Sequence, residues 1–468
     1  MQTFITENFL LQTDTARKLY FDFVQQLPII DYHNHLSPEE IAINKKFSTI
    51  TEAWLKGDHY KWRVMRANGI EEKFITGDAD DYLKFKAWAE TVPYTIRNPL
   101  YHWAHLELKH PFNIDELLNE DSAENIYHQC NELLQTKYSV EEILNYHKVE
   151  LLCTTDNPIE DLQFHNQIIH NNIQCKVFPT FRPDTLINFS DKEEWLNQLE
   201  LLSATTNSSI TNLDAFLSAL GSRIEYFHTK GCCLSDHGLE YIPVLDNKEK
   251  KIEHIFQKLV NKKKLPDDDK LQSLNAFILF ELCKMYYAKG WTQQFHLGAM
   301  RNNNSRLLKL IGKDAGTDSI GDYQQATTLS AFLNALDDEN KLAKTILYNL
   351  NPADNEVFAT LAGNFNDGSF PGKIQWGSAW WFLDQKDGIE KQLNTLSNMS
   401  LLSRFVGMVT DSRSFLSFVR HDYFRRILCN LVGGDVEKGE LPNDTNWLGK
   451  MLADIAYYNA KNYFNWNA

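Results

Sequence analysis

Short apolar runs that favour β-strands recur along this chain, and segments with helical periodicity separate most of them. Strands that alternate with helices pair in parallel through crossover connections, which predicts an α/β fold. A chain of 468 residues could hold two or three domains, or one large barrel with insertions. We count eight candidate strands, which favours one (β/α)8 TIM-type barrel over residues 1–468. The candidate strands are Leu27–Asp31, Val149–Thr154, Cys175–Thr180, Gly231–Leu234, Gln293–Leu297, Thr345–Leu350, Lys373–Ser378 and Phe405–Thr410.

The spacing of these strands is uneven, because a long stretch separates the first from the second. This stretch has helical signals, as in Asp80–Glu90 and Ala123–Thr136, and it is neither Gly/Ser-rich nor poor in apolar residues. We therefore interpret residues 36–147 as a mostly helical insertion after the first strand, which contributes to the mouth of the barrel.

A pair of histidines, His33 and His35, directly follows the first candidate strand. Side chains two positions apart on a strand point to the same face, about 6.6 Å apart. Two imidazoles in that arrangement can bind one metal ion at about 2.0–2.1 Å each. The alternative is that two of the 15 histidines fell two apart by chance, or serve as hydrogen-bonding residues of the core.

Polar and ionisable residues also follow most of the other candidate strands, where the active site of a (β/α)8 barrel lies. Each of them alone could cap a helix or form a turn, but together they favour a metal site. The residues are Asp156-Asn157, Arg182-Pro183-Asp184, Ser235-Asp236-His237-Gly238, His296, Arg301, Asn349–Asn351, Trp380-Trp381 and Asp411-Ser412-Arg413.

Asp411 is the natural carboxylate partner for the two histidines. Two imidazoles with one carboxylate oxygen are typical of a catalytic zinc or manganese ion, which keeps coordination positions open for water or substrate. Asp411 could instead cap the helix predicted at Phe415–Leu428. His296 could be a fourth ligand, a proton shuttle or a core histidine, and the role of His237 stays open.

Composition excludes several classes of protein. The net charge of -15 argues against non-specific nucleic-acid binding. No apolar run approaches the 18 or so residues that span a membrane. Seven cysteines without a CxxC pair and an N-terminus without signal-peptide character predict a reduced, cytoplasmic protein. Whether it is a monomer or a homo-oligomer is left open.

The histidine pair with the late aspartate resembles the amidohydrolase superfamily. Within that superfamily, the chain resembles the uronate isomerase (glucuronate isomerase) family over nearly its whole length. The segments that carry this resemblance are Asp31-Tyr32-His33-Asn34-His35-Leu36, Gly57-Asp58-His59-Tyr60-Lys61-Trp62-Arg63, Phe178-Pro179-Thr180-Phe181-Arg182-Pro183-Asp184, Phe295-His296-Leu297-Gly298-Ala299-Met300-Arg301-Asn302-Asn303, Asn351-Pro352-Ala353-Asp354-Asn355-Glu356, Gly377-Ser378-Ala379-Trp380-Trp381-Phe382 and Thr410-Asp411-Ser412-Arg413.

The resemblance implies a distorted barrel that interconverts D-glucuronate with D-fructuronate, and D-galacturonate with D-tagaturonate. It also implies one divalent metal ion, zinc in our interpretation with manganese as the alternative. No lysine that could bridge two ions stands at a strand end near the middle of the barrel, which agrees with a single ion. The resemblance implies His33, His35 and Asp411 at the metal, and His59, Tyr60, Arg182 and Arg413 around the substrate. Our own assignment is Asp411, His59, Tyr60 and His296 as catalytic residues, and Arg182, Arg413 and Trp381 as substrate-binding residues.

The residues suit this chemistry. Arginine binds carboxylates through a planar fork, so Arg182 and Arg413 could hold the sugar-acid carboxylate, although surface ion pairing is the alternative for each. Moving the carbonyl from C1 to C2 needs proton transfer through a cis-enediol intermediate, with Asp411 as the base. His59 and Tyr60 could pass protons, or could only pack within an aromatic-rich helix. The rival functions are a metal-dependent hydrolase and a non-catalytic carbohydrate-binding barrel.

Overall fold

The computed structural model describes residues 4–245, 249–261 and 266–466. The two ends of the predicted 1–468 domain therefore lie outside the described residues, as do residues 246–248 and 262–265. The strands of the described part are β1 (Ile29–Asp31), β2 (Val149–Cys153), β3 (Lys176–Phe178), β4 (Leu234–Leu239), β5 (Thr292–Leu297), β6 (Ala299–Met300), β7 (Ser319–Ile320), β8 (Thr345–Asn349) and β9 (Ile374–Trp376).

Helices connect these strands and surround them. The α-helices are α1 (Asp14–Leu19), α2 (Pro38–Ala42), α3 (Ile50–Trp54), α4 (His59–Ala67), α5 (Asp81–Thr91), α6 (Pro99–Lys109), α7 (Ala123–Thr136), α8 (Val140–Tyr146), α9 (Gln163–Asn171), α10 (Asp184–Ile187), α11 (Lys192–Thr206), α12 (Leu213–Thr229), α13 (Glu249–Val260), α14 (Asp268–Lys289), α15 (Ser305–Ile311), α16 (Ala326–Asp338), α17 (Asn355–Asn364), α18 (Lys386–Met399), α19 (Val419–Glu437), α20 (Thr445–Ala453) and α21 (Asn459–Tyr463). The 3-10 or π-helical turns are Tyr20–Val24, Glu72–Phe74, Val92–Thr95, Pro352–Asp354, Trp381–Leu383, Leu402–Arg404, Phe415–Phe418 and Asp454–Tyr458.

The parallel strands follow one another in chain order, as in a barrel. One sheet has the order β1-β2-β3 and a second has the order β4-β5-β8-β9. Single parallel bridges join the two sheets, because Phe181 pairs with Asp156 on one side and with Ser235 on the other. Each strand of a parallel sheet needs a crossover, and helices on the outer face supply most of them. The small antiparallel pair β6–β7 lies outside these sheets.

The prediction that Phe405–Thr410 forms a regular strand is wrong, since no strand is assigned to these described residues. The segment nevertheless runs beside the end of β1, where the Asp411 amide donates to the His33 carbonyl (3.2 Å). Asp31 explains the irregularity. Its carboxylate accepts from both the Thr410 amide (2.7 Å) and the Thr410 hydroxyl (2.6 Å), so a side chain takes the place of a ladder partner.

The fourth strand lies further along the chain than predicted, at Leu234–Leu239 instead of Gly231–Leu234. Asp236 and His237 are therefore strand residues and not residues of the loop that follows. Both are fully buried. We predicted the strand too early because we followed the apolar run, which ends at Leu234. Asp236 and His237 are buried in the strand but polar, and polar residues do not produce the sequence pattern of a buried strand.

Between β1 and β2 the chain forms helices α2 to α8. The predicted helix Ala123–Thr136 has the bounds of α7, and Asp80–Glu90 differs from α5 by one residue at each end. A side-chain cap explains the start of α5, where Asp80 accepts from the Leu83 amide. Within the described residues, we find no helix with the length and apolar character needed to cross a membrane.

Replacing Asp31 by alanine should destabilise the fold strongly. Asp31 is fully buried and binds Thr410 twice, so its loss leaves buried donors without an acceptor where the barrel closes. We expect the free energy of unfolding to fall by about 3 kcal/mol or more, measured by urea denaturation. Asp337→Ala, on the exposed side of α16, is the control and should change it by less than about 0.5 kcal/mol. Equal effects of both substitutions would contradict the stabilising role of Asp31 between β1 and the segment Phe405–Thr410.

Candidate active site

A cavity of about 540 Å³ opens at the carboxyl ends of the parallel strands. Strand ends, the loops after them and the start of α4 all contribute to its wall. Each of the site residues predicted from the sequence lines this one cavity: His33, His35, His59, Tyr60, Arg182, His296, Trp381, Asp411 and Arg413. Residues distant in sequence are thus brought together as the barrel topology predicts.

His33, His35 and Asp411 form a compact group at the base of the cavity. The Nε2 atoms of both histidines lie 3.1 Å from Asp411 Oδ1. Ligand atoms that bind one ion at about 2.0–2.1 Å lie roughly 3 Å from one another, so these three side chains fit a divalent metal. The types of donor also fit, since nitrogen and oxygen ligands suit zinc and manganese.

The charges of this group depend on one another. Burial would raise the pKa of Asp411, but hydrogen bonds to His33 and His35 hold it well below its ordinary value. Burial lowers the pKa of His35 to about 4. Burial acts in the same direction on His33, but the carboxylates of Asp236 and Asp411 outweigh it and raise the pKa. Asp411 is therefore ionised at neutral pH, the form that binds a cation or accepts a proton.

Trp380 fixes the orientation of the Asp411 carboxylate, a role that the sequence did not predict. The Trp380 indole Nε1 donates to Asp411 Oδ2 (2.7 Å), while Oδ1 faces the histidines. Asp411 also has a left-handed backbone, with φ of +46°, as does Trp381 at +52°. Non-glycine residues in this region cost free energy and cluster at functional sites. Trp380 and Trp381 lie in Gly377–Phe382, one of the segments that carry the family resemblance, and this resemblance was the sequence signal that could have indicated a role for Trp380.

Asp236 and His296 form a buried carboxylate–imidazole pair beside the group of His33, His35 and Asp411. His296 Nδ1 lies 2.6 Å from Asp236 Oδ1, and His296 Nε2 is buried without a partner among the described residues. The possible ligand atoms of His33, Asp236 and His296 also lie within 4.8 Å of one another, so these three side chains form a second candidate metal site. Burial lowers the pKa of His296, so its ring is neutral and can bind a metal or accept a proton at Nε2.

Arg182 is held by two carboxylates. Its Nη1 lies 2.9 Å from Asp236 Oδ2, and its Nε donates to Asp184 Oδ2 (2.9 Å). Gly238 makes room for this arrangement, because a Cβ there would lie 2.5 Å from Arg182 Nη2. Burial would lower the pKa of Arg182, but Asp236 and Asp184 raise it. Two nitrogens of the Arg182 guanidinium thus contact carboxylates, which the sequence alone did not indicate.

His59 and Tyr60 come from the start of α4 and form part of the cavity wall. Their rings stack with centroids 4.9 Å apart, and His59 meets Trp381 edge-on at 5.3 Å. Burial lowers the pKa of His59 and raises that of Tyr60 well above its ordinary value, so both are neutral. Asp58 caps this helix by accepting from the Lys61 amide (3.0 Å).

A buried charge cluster at the start of α4 anchors the helix and also lines the cavity. Lys61 Nζ lies 2.5 Å from Asp58 Oδ2 and 3.6 Å from Glu107 Oε2, and Trp54 donates to Glu107 from the other side. Lys61 and Glu107 are almost fully buried. Buried charges require partners of this kind, and the cluster fixes the position from which His59 and Tyr60 project.

Arg413 lies at the outer rim of the cavity, with its side chain 37% exposed. Its Nη2 donates to Asp314 Oδ2 (3.1 Å), a residue in the loop between α15 and β7. Arg301 contributes a second cation to this rim and lies over the Trp381 ring, 4.6 Å from its centroid.

His237 is placed differently from the other histidines near the site. It is fully buried, stacks on Phe295 at 5.4 Å and is absent from the cavity wall. Burial lowers its pKa to about 4. The His237 ring is therefore neutral and packs between β5 and the outer helices.

Comparisons with known proteins agree with this site. The family model described as glucuronate isomerase matches residues 1–464. A uronate isomerase from Flavobacterium johnsoniae is 54% identical to the chain, over 99% of each. The solved structure of uronate isomerase from Thermotoga maritima has a TM-score of 0.93 and 35% identity, covering 99% of this chain and all of that one. The glucuronate isomerase structure from Caulobacter crescentus has a TM-score of 0.90 and 26% identity, covering 98% and 96%. These similarities confirm the predicted fold class of a distorted (β/α)8 barrel.

Proposed function

Because the chain belongs to the glucuronate isomerase family, we propose that it interconverts D-glucuronate with D-fructuronate, and D-galacturonate with D-tagaturonate. Each reaction is an aldose–ketose isomerisation that moves the carbonyl group from C1 to C2. The observation that carries this proposal is one cavity with a group of possible metal ligands on one side and a partly exposed arginine, Arg413, at its rim. A sugar acid matches both ends, with hydroxyl and carbonyl oxygens at one and a carboxylate at the other.

The ligands that we propose for a single divalent ion are His33, His35 and Asp411, with zinc as the first choice and manganese as the second. Their mutual distances and donor types support this assignment. A bound ion would supply Lewis-acid polarisation of the substrate carbonyl, which makes the neighbouring C–H more acidic. The free, buried cysteines fit a reducing compartment such as the cytoplasm.

We assign the role of general base to Asp411. In the forward direction its carboxylate takes the proton from C2 and leaves a cis-enediolate, which becomes the cis-enediol when O1 is protonated. A proton is then delivered to C1 and the O2 proton is released, which gives the ketose. Asp411 is ionised, and Trp380 holds its Oδ2 in place, so the base needs no reorientation before it reacts. A weak base of this kind suffices only when the C2 proton has been made more acidic.

The isomerisation also moves a proton between the oxygens on C2 and C1. His59, Tyr60 and His296 are the neutral groups in the cavity wall that can hold or pass it. Tyr60 donates only as a phenol, because burial raises its pKa well above the neutral range. His296 is oriented by Asp236, which fixes the tautomer and leaves Nε2 for the substrate or the metal.

Arg413 is our principal candidate for the substrate carboxylate. Arg182 also lines the cavity, but two carboxylates already engage it, so we expect it to contribute less. Among the described residues, Arg413 has one charged partner within hydrogen-bonding distance, Asp314, and keeps other donors of its fork for a ligand. Trp381 completes the substrate wall next to Arg301.

Arg413→Ala should raise the KM for D-glucuronate and lower kcat/KM by about 100-fold, because a charge-assisted pair with the substrate is lost. Steady-state kinetics of ketose formation measure this effect. Arg306→Ala provides a matched control, since Arg306 is exposed on α15 and does not line the cavity. Near-normal kinetics in Arg413→Ala would contradict its assignment to the carboxylate.

Turnover in D2O should place solvent deuterium on C1 of the ketose, at least in part. The proton that Asp411 takes from C2 can exchange with solvent before a proton is returned to C1. Mass spectrometry or proton NMR of the product measures the incorporation. An absence of deuterium at every extent of reaction would favour a hydride shift and contradict proton transfer.

A further inference from the structure

A short loop lies over the rim of the cavity and touches several of its walls. We call residues 312–318, between α15 and β7, the strap. Arg66 of α4 donates to the strap carbonyl of Ala315, and Arg63 donates to that of Asp318 (2.7 Å). Two side chains of the helix that carries His59 therefore hold the strap by its backbone.

The strap also approaches the backbone of α4 closely. Gly316 has φ of +80°, and a Cβ at this position would lie 2.7 Å from the His59 carbonyl oxygen. Only glycine adopts this conformation easily and leaves room for the approach. The position of the strap is thus fixed relative to His59 by contacts that involve its backbone.

From this fixed segment, Asp314 reaches Arg413. Its Oδ2 accepts from Arg413 Nη2 (3.1 Å), and its Oδ1 lies 4.0 Å from Arg301 Nη1. Burial would raise the pKa of Asp314, but Arg413 and Arg301 lower it, which keeps the carboxylate ionised. The partly exposed Arg413 side chain would otherwise sample many rotamers, and long side chains lose much entropy when a ligand fixes them.

We propose that Asp314 is a positioning residue that holds the Arg413 guanidinium ready for the carboxylate of the substrate, an inference that rests on the proposed function. Asp314 uses one edge of the guanidinium, so other N–H groups can receive the ligand. Its own charge repels a carboxylate, but its side chain is 54% exposed, so water and salt screen that repulsion. Pre-organisation of the arginine therefore outweighs repulsion, and removal of the charge weakens substrate binding.

The test compares two ligands of nearly the same shape, D-glucuronate and its neutral amide D-glucuronamide, which lacks the negative charge and has an NH2 donor in place of one acceptor oxygen. In Asp314→Asn, we expect KM for D-glucuronate to rise about fivefold, while kcat stays within about twofold of wild type. This is the pattern for loss of an interaction that stabilises the bound substrate and the transition state equally. The constants for D-glucuronamide, as substrate or as competitive inhibitor, should not change. Asp314→Glu keeps the charge and should recover part of the loss. Asp337→Asn removes an exposed carboxylate outside the cavity and is the control.

Three results would overturn this inference: a lower or unchanged KM for D-glucuronate, an equal effect on the amide, or a loss confined to kcat. Thermal unfolding of Asp314→Asn should match wild type, because the residue is exposed. Arg413→Ala separates this inference from the proposed function. If Arg413→Ala raises KM and Asp314→Asn does not, only the role of Asp314 fails. If Arg413→Ala has no effect, the assignment of the substrate carboxylate fails as well.

Discussion

Asp411→Asn should lower kcat for D-glucuronate by about three orders of magnitude, the size expected for loss of a general base. Asparagine has nearly the shape of aspartate and can still accept the indole hydrogen bond from Trp380. It cannot take a proton from C2, and it is a poorer metal ligand than a carboxylate. Both consequences act on the same chemical step, so the decrease should appear in kcat more than in KM.

The control for Asp411→Asn is the amount of bound metal, measured by inductively coupled plasma mass spectrometry. A variant that keeps most of its metal and still loses activity locates the defect in proton transfer. Asp411→Glu keeps a carboxylate at an altered distance and should retain more activity than asparagine. A kcat within tenfold of wild type in Asp411→Asn would contradict the role of this residue as base.

His33→Ala should abolish most metal binding and lower activity by about a thousandfold, because Lewis-acid polarisation by a bound ion would lower the activation barrier by several kcal/mol. His33 is buried, and its Nε2 lies 3.1 Å from Asp411 Oδ1. His35→Ala should behave similarly, since its Nε2 lies at the same distance from that oxygen. Metal content and ketose formation are measured on the same preparations.

A surface histidine tests whether these effects are specific. His254→Ala removes an exposed imidazole on α13 and should leave the metal content and the rate unchanged. The metal assignment would be contradicted by a His33→Ala protein that folds, binds metal as wild type does and turns over normally. Loss of metal without loss of activity would show that the reaction does not need the ion, and would contradict its catalytic role.

The sequence predicted that His33, His35 and Asp411 come together, because the rules involved are local or general. Side chains two apart on a strand share a face, which pairs His33 with His35. The carboxyl ends of parallel strands meet at one end of a barrel, which brings Asp411 to them. These two rules locate the three residues without knowledge of any contact.

The partners of these residues could not be predicted in the same way. Asp236 contacts His296 and Arg182 because neighbouring strands have a particular register, which pairs Gly238 with His296. No local pattern sets that register. The fourth strand was also misplaced, so Asp236 was expected in a loop. Asp314 contacts Arg413 through a loop whose path depends on Gly316, and nothing in its local sequence indicates this contact.

The segment Phe405–Thr410, the eighth candidate strand, shows a different limit of prediction from sequence. Its apolar residues predicted a strand and are indeed buried at Phe405 and Val406. The sequence pattern reports burial, however, and not which group satisfies each backbone amide. Here the Asp31 side chain binds the Thr410 amide, so the ladder is not formed although the segment lies beside β1.

The most direct test of the account is ketose formation by the purified protein. We would incubate it with D-glucuronate and with D-galacturonate, before and after treatment with a chelator, and again after zinc or manganese is restored. We expect ketose to form, chelation to stop its formation and the restored metal to recover it. Failure of the metal-loaded protein to form ketose from either uronate, together with cleavage of an ester or amide, would contradict it in favour of a hydrolase.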